Sequence, residues 1–151
     1  MEFKEIKLKI SKFIKEELYS LEPWILNCEW SEKLPKLNEL RDKVKSQNLW
    51  LPQISKEYGG LGLSNAQHGE ISEILGSSPY GHYVFNCQAP DAGNMEILIE
   101  CGTKEQKEKY LKPLLEGEIR SCFAMTEPDF AGSNPVEMGT IATKDENNYI
   151  I

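Results

Sequence analysis

Phe3, Ile6, Ile10, Phe13, Ile14, Leu18 and Leu21 recur at three- and four-residue intervals, with lysines and glutamates between them. That spacing makes one apolar stripe along an α-helix and is incompatible with a strand, whose period is two. Such a stripe must be covered, so the chain is committed from its first turn to packing helix on helix. Pro23 is expected to end this helix. The helical period returns at Leu37, Leu40 and Val44, in a helix expected over Pro35–Gln47. "LWLPQISKEYGGLGLS" then breaks the pattern with Pro52 and three glycines, and Ser64 caps a helix that runs to about Leu75 and stops at Gly76. "VFNCQAPDAGNMEILIECG" reads as a helix, a break over Pro90–Gly93, and a second helix ending at Gly102. Thr103 and Gln106 form a capping box for a last helix, with Tyr110, Leu111, Leu114 and Leu115 on its apolar side and Gly117 at its end.

After Gly117 the period changes. Ser121–Met125 reads as a strand, and "GTIATKDENNYII" as two short strands around a polar turn. The expected architecture is therefore mainly α: five or six helices, then the first strands of a β region. The division falls at 1–118 and 119–151, with the join near Gly117–Arg120. A sheet needs about three strands and a covered face to stand alone, so the chain reads as a portion of something longer, with an incomplete β domain.

Composition excludes several functions. The net charge of the 151 residues is −7, with acids and bases interleaved, and no basic face is available to neutralise phosphates. Nucleic acid and anionic membrane surfaces are disfavoured as partners. No apolar run is long enough to span a bilayer. Cys28, Cys87, Cys101 and Cys122 lie far apart, and His68 and His82 are the two imidazoles, so no metal site is expected. Apolar neighbours around most of the thiols predict buried, reduced cysteines in a reducing compartment. "MEFKEIKLKI" has neither the apolar core of a secretory signal nor the acid-free character of a transit peptide.

The stretch "CFAMTEPDFAGSN", Cys122–Asn134, has no Lys or Arg and several small or hydroxylated side chains. Pro128 holds Glu127 extended. Ala131, Gly132 and Ser133 have little bulk, so their main-chain N–H groups can approach a ligand closely. Thr126 and Ser133 each offer a hydroxyl that donates or accepts. Such a cluster suits a large, flat, polar cofactor with an anionic tail. The same residue types also make an ordinary loop.

Order along the chain separates the two readings. "LPQISKEYGGLGLS" (51–64), "CGTKEQKEKYLKPLLEGEIRSCFAMTEPDFAGSN" (101–134) and the closing "YII" resemble the acyl-CoA dehydrogenase family of flavoproteins, in that family's own order. "FNCQAPDAGNME" (85–96) resembles the branch found as the dehydrogenase half of larger proteins that also carry a phosphotransferase-like domain. The resemblance implies an N-terminal helical bundle followed by a β domain, with FAD as cofactor and acyl-CoA as substrate. It places Phe123 and Met125 beside the flavin and acyl chain, and the main chain of Met125 and the Thr126 hydroxyl at the ring's polar edge. Ser133 falls at the FAD phosphates and the pantetheine of the substrate. The chain departs from the family's commonest pattern at Asp129–Phe130, which replaces a single glycine, and at Asn134, where Asp is usual.

The implied chemistry is α,β-desaturation of an acyl thioester. The family's general base lies in a C-terminal domain, so no catalytic residue is assigned within this chain, and Glu127 is read as a structural turn residue. Electron-transfer flavoprotein is the implied acceptor, with oxygen in the oxidase variant of the family. A homo-oligomer and a cytoplasmic or mitochondrial-matrix setting follow from the same resemblance. The reading from a different class is a catalytically silent helical module that binds a partner. Trp24, Trp30 and Trp50 are read as packing residues, His68 and His82 as a helix-surface and a loop histidine, and Asp91 and Asn94 as caps of the following helix, with an acyl-pocket role as the alternative. Residues 1–151 alone are expected to show no acyl-CoA desaturation and no tight FAD. Robust turnover, or a stoichiometric flavin spectrum on the purified chain, contradicts this.

Overall fold

The computed structural model describes residues 1–130 and 132–151, which form two compact units, Met1–Ser121 and Cys122–Ile151. In the first unit, α1 (Phe3–Phe13) runs directly into a π-helical turn at Ile14–Leu18, where the Tyr19 N–H reaches the Ile14 carbonyl at 3.0 Å. The predicted stripe is the buried one: Ile6, Ile10, Phe13, Ile14 and Leu18 all face the core. Pro23 does not simply stop the chain but sits in the first turn of a short helix, α2 (Glu22–Ile25), where its missing N–H costs nothing.

The second long helix, α3, spans Trp30–Ser46 and so begins before Pro35, which lies inside it. Pro35 suits a first helical position, but the Glu29 N–H donates to the Glu32 carboxylate at 3.2 Å and starts the helix earlier. Leu37, Leu40 and Val44 are fully buried on its inner face, as the period requires. The helix α4 (Asn65–Leu75) opens on the predicted cap: the Ser64 hydroxyl accepts from the Gln67 N–H at 3.3 Å, and the Gln67 amide oxygen accepts from the Ser64 N–H at 3.1 Å.

A four-residue helix, α5 (Gly81–Val84), precedes α6 (Asp91–Cys101), so the break lies over 85–90 and Gly93 is helical. Thr103 and Gln106 cap α7 (Lys104–Gln106) reciprocally at 2.9 and 3.2 Å. A second π-helical turn, Lys107–Leu111, then leads into α8 (Lys112–Glu116). Leu111 and Leu114 are buried there, whereas Tyr110 is exposed. Phe13 meets Phe85 edge to face at 5.4 Å, joining α1 to the end of α5.

The C-terminal turn of α8 is held by side chains from elsewhere in the helical unit. A helix leaves its last four carbonyls without helical partners. Here Asn86 Nδ2 donates to Leu114 O at 3.0 Å and to Leu115 O at 3.2 Å, and the Trp50 indole N–H donates to Leu115 O at 2.8 Å. Lys45 Nζ donates to Glu116 O at 2.8 Å, and Arg41 Nη2 to Gly117 O at 3.1 Å. Arg41 is 4% exposed and also donates to Tyr83 O at 3.0 Å, with its guanidinium against the rings of Trp50 and Tyr83. Burial pulls its pKa down from the ordinary arginine value, yet a guanidinium stays charged, and carbonyl dipoles compensate the charge.

Of the three tryptophans, Trp50 is packed as expected. Trp24 and Trp30 are exposed, and Trp30 meets only the edge of Tyr83 at 5.8 Å among the described aromatic pairs. The cysteine expectation is also corrected: Cys87 is buried, Cys28 half-buried, and Cys101 and Cys122 are exposed, all four as free thiols. Among the described residues, no helix is long and apolar enough to cross a membrane.

In the second unit, β1 (Thr143–Asp145) pairs antiparallel with β2 (Asn148–Ile150), in the register Thr143↔Ile150, Lys144↔Tyr149 and Asp145↔Asn148. The predicted hairpin is present, with Glu146 at φ 49° in its turn. The expected strand at Ser121–Met125 is not present: the segment has no regular secondary structure, and no described segment pairs with it.

Gly117 closes α8 at φ 71°, and a Cβ there would lie 1.9 Å from Arg41 Nη2. Gly117→Ala is expected to destabilise the helical unit by at least about 2 kcal/mol, from left-handed strain and a displaced buried cation together. Urea unfolding followed by far-UV circular dichroism measures this.

Candidate functional site

The residues expected to meet a cofactor all lie in the second unit. Phe123, Met125, Thr126 and Ser133 are exposed. From Cys122 to Thr126 the chain has no regular secondary structure, and its main chain makes no hydrogen bond to another described residue. Gly132 stands at φ 68°, where a side chain is strained. A Cβ on it would fall 3.4 Å from Met125 O and 3.6 Å from Thr126 Cα. Gly132 therefore lies beside Met125–Thr126, and its left-handed φ, rather than crowding, is what calls for glycine there. Ala131, the third small residue of the expected cradle, lies outside the described residues.

Two further contacts set the shape of this loop. The Glu127 carboxylate accepts from the Gly139 and Thr140 N–H groups, each at 2.7 Å, and also from the Thr140 hydroxyl. Glu127 thus ties the start of the motif to the segment before β1, the structural role expected of it. Phe130, half of the Asp129–Phe130 departure, lies on Gly139, where a Cβ would meet its ring at 2.1 Å. The inserted residue is absorbed by a ring stacked on a glycine. Asn134 accepts from the Val136 N–H at 3.3 Å and opens a single 3₁₀ turn, Pro135–Glu137. Sequence reasoning missed the Glu127 and Phe130 contacts. The signals available were a carboxylate followed at some distance by Gly139–Thr140, two adjacent donors with one small side chain.

In the helical unit, Asp91 does not cap α6. It is the first helical residue, fully buried, and its carboxylate accepts four hydrogen bonds. Oδ1 accepts from the Ser121 N–H at 2.7 Å and the Ser121 hydroxyl at 2.6 Å; Oδ2 accepts from Arg120 Nε at 2.6 Å and Gln88 Nε2 at 2.5 Å. Asn94 Nδ2 donates to Ser121 Oγ at 2.8 Å. Burial pushes the Asp91 carboxyl up, but the Ser121 and Arg120 bonds outweigh it and hold the group below the ordinary aspartate value. Gln88, Asp91 and Asn94 recur every three residues through "FNCQAPDAGNME", a motif that also carries the polar Asn86 and Glu96.

His68 and His82 are half-buried on α4 and α5, and desolvation lowers both from the ordinary histidine value. Gly60, in the Tyr58–Gly59–Gly60 turn, is required on steric grounds, since a Cβ there would lie 2.1 Å from Ile54 O. A groove of about 440 Å³ on the helical unit, lined by Tyr58, Lys107, Leu111 and Leu115, contains no residue of the motif.

The family model for the acyl-CoA dehydrogenase N-terminal domain matches residues 1–118. Mouse acyl-CoA dehydrogenase family member 10 is 41% identical over 95% of this chain, which spans 14% of that protein. Chicken acyl-CoA dehydrogenase family member 11 is 42% identical over 97% of the chain, which spans 20% of it. A solved structure described as a "putative acyl-CoA dehydrogenase from Mycobacterium abscessus" superposes with a TM-score of 0.82 at 37% identity, over 93% of this chain and 37% of that one.

The Glu127 brace is predicted to depend on pH. The Thr140 hydroxyl, with help from the Gly139 and Thr140 amides, holds the carboxyl below the ordinary glutamate value against the opposing push of desolvation. A lowered pKa means the brace is fully present above the unfolded value of about 4.3 and is lost as pH falls through the lower folded one. The Gly139 and Thr140 amide shifts are expected to stay constant down to about pH 4.3 and to move only below it. Glu127→Gln abolishes that transition; a midpoint at or above the ordinary glutamate value contradicts the assignment.

Proposed function

Because the chain belongs to the acyl-CoA dehydrogenase family, we propose that it supplies the N-terminal helical domain (1–118) and the opening of the middle β domain (119–151) of an FAD-dependent enzyme that desaturates acyl-CoA thioesters. The observation that carries the reading is the exposed Cys122–Thr126 segment, whose main chain makes no hydrogen bond to another described residue, with Gly132 at φ 68° beside Met125 and Thr126. The donors and hydroxyls there suit the polar edge of a flavin and its diphosphate, and the lack of Lys and Arg from Cys122 to Asn134 matches a cofactor held by dipoles rather than by ion pairs.

In this reading Phe123 and Met125 form an apolar wall against the ring and acyl chain. The Met125 main chain and Thr126 hydroxyl bond the ring's polar edge, and Ser133 meets the diphosphate and the pantetheine. When bound, FAD would supply the hydride acceptor. The bonds Glu127 accepts from Gly139 and Thr140 support reading it as a structural residue rather than as the base that removes the α-proton. The short share of each relative's length that the chain spans supports assigning turnover to the whole protein, with electron-transfer flavoprotein as acceptor and a homo-oligomer as the working form.

The product of the complete reading frame carrying these residues is expected to purify yellow and to convert an acyl-CoA to its 2-enoyl thioester with an artificial electron acceptor. Thr126→Ala is expected to lower kcat/KM by about 10-fold or more, the cost of roughly one transition-state hydrogen bond of 1.4 kcal/mol or greater. A colourless, inactive product overturns the reading.

A further inference from the structure

We propose that Asp91 is the positioning residue for the flavin-facing segment: it fixes where and in what orientation the chain leaves the helical unit at Ser121. The inference rests on the functional reading above and adds a residue outside the Cys122–Asn134 motif. The carboxylate is 0% exposed, and its four acceptor contacts saturate both oxygens. Two of them hold Ser121 through both its main chain and its side chain, and a third holds Arg120. Ser121 Oγ donates to Asp91 and accepts from Asn94, so its rotamer is set from both sides. Arg120 in turn lies against Tyr83, 5.1 Å from the ring centroid, and Arg41 packs on the same ring at 4.7 Å.

A fully buried carboxylate needs donors on both of its oxygens. Here every donor beyond Gln88 comes from the two residues immediately preceding Cys122. The main chain of 122–126 makes no hydrogen bond to another described residue, so Ser121, the last residue of the helical unit, is the nearest point at which its backbone is held. Binding elements need positional accuracy from a supporting layer whose own rotamers are locked.

The test uses two substitutions. Asp91→Asn keeps the shape but replaces an acceptor oxygen with a donor nitrogen and removes the charge facing Arg120. Ser121→Ala keeps the main-chain bond and deletes the hydroxyl link. In the 151-residue chain, backbone ¹⁵N order parameters at Ser121–Phe123 are expected to fall towards the flexible range, about 0.6 or below, in both variants, while those of α6 from Met95 onward are unchanged. In the product of the complete reading frame, FAD dissociation constants are expected to rise at least tenfold for Asp91→Asn and severalfold for Ser121→Ala, with a shifted visible flavin spectrum. If Asp91→Asn unfolds the helical unit, Ser121→Ala decides. Unchanged order parameters and unchanged flavin affinity in Ser121→Ala overturn the proposal. A wild-type complete protein that takes up no flavin overturns the functional reading instead, and does so without either variant.

Discussion

The helical unit depends on one buried cation. Arg41 projects from the middle of α3 and reaches across to the carbonyl of Gly117, 76 residues away in sequence, and to that of Tyr83. Placing a guanidinium at 4% exposure with no carboxylate bonded to it among the described residues is costly unless dipoles replace the lost water. They do: the free carbonyls at the end of α8 carry the negative end of a helix dipole, and two aromatic faces cover the rest. Asn86, Trp50 and Lys45 then satisfy the remaining carbonyls of the turn. The exchange is mutual, because the same contacts that solvate Arg41 also finish α8. It sets Gly117, and the chain passes from there to Arg120 and Ser121.

That dependence explains why polar residues of "FNCQAPDAGNME" lie under the surface. Asn86 works on the end of α8, and Asp91 with Asn94 on the segment three residues further along. The motif is a bracket between the helical unit's interior and its last residues. Asn86, Gln88, Asp91 and Asn94 bond to the α8 carbonyls, to one another and to Arg120 and Ser121, while Glu96 is exposed.

Long periodic elements were legible in the sequence. The stripe of α1, the inner face of α3, the Ser64 and Thr103 boxes and the stop at Gly117 follow from local rules, because each is decided by residues within a turn or two. The start of α3 was misplaced because Pro35 is a strong local signal that a weaker one, Glu32 bonded back to Glu29, overrode. Ser121–Met125 has a strand's composition, yet strandedness is a property of pairs, and no described partner lies beside it. Exposure of Trp24, Trp30, Cys101 and Cys122 was equally out of reach, since neighbours in sequence do not report neighbours in space. At the candidate site the small residues and hydroxyls could be picked out by type. The Glu127 brace and the Asp91 anchor could not, because each joins positions at least twelve residues apart.

Cys87 differs in kind from the other three thiols. Enclosed by the helical unit, its pKa is pushed up to about 12, so almost no thiolate exists at neutral pH. Cys101 and Cys122 meet solvent directly. An alkylating reagent will therefore mark those two at once and reach Cys87 only in molecules whose helices have parted. The slow phase of labelling is then a clock for local opening, built into the chain without any added probe.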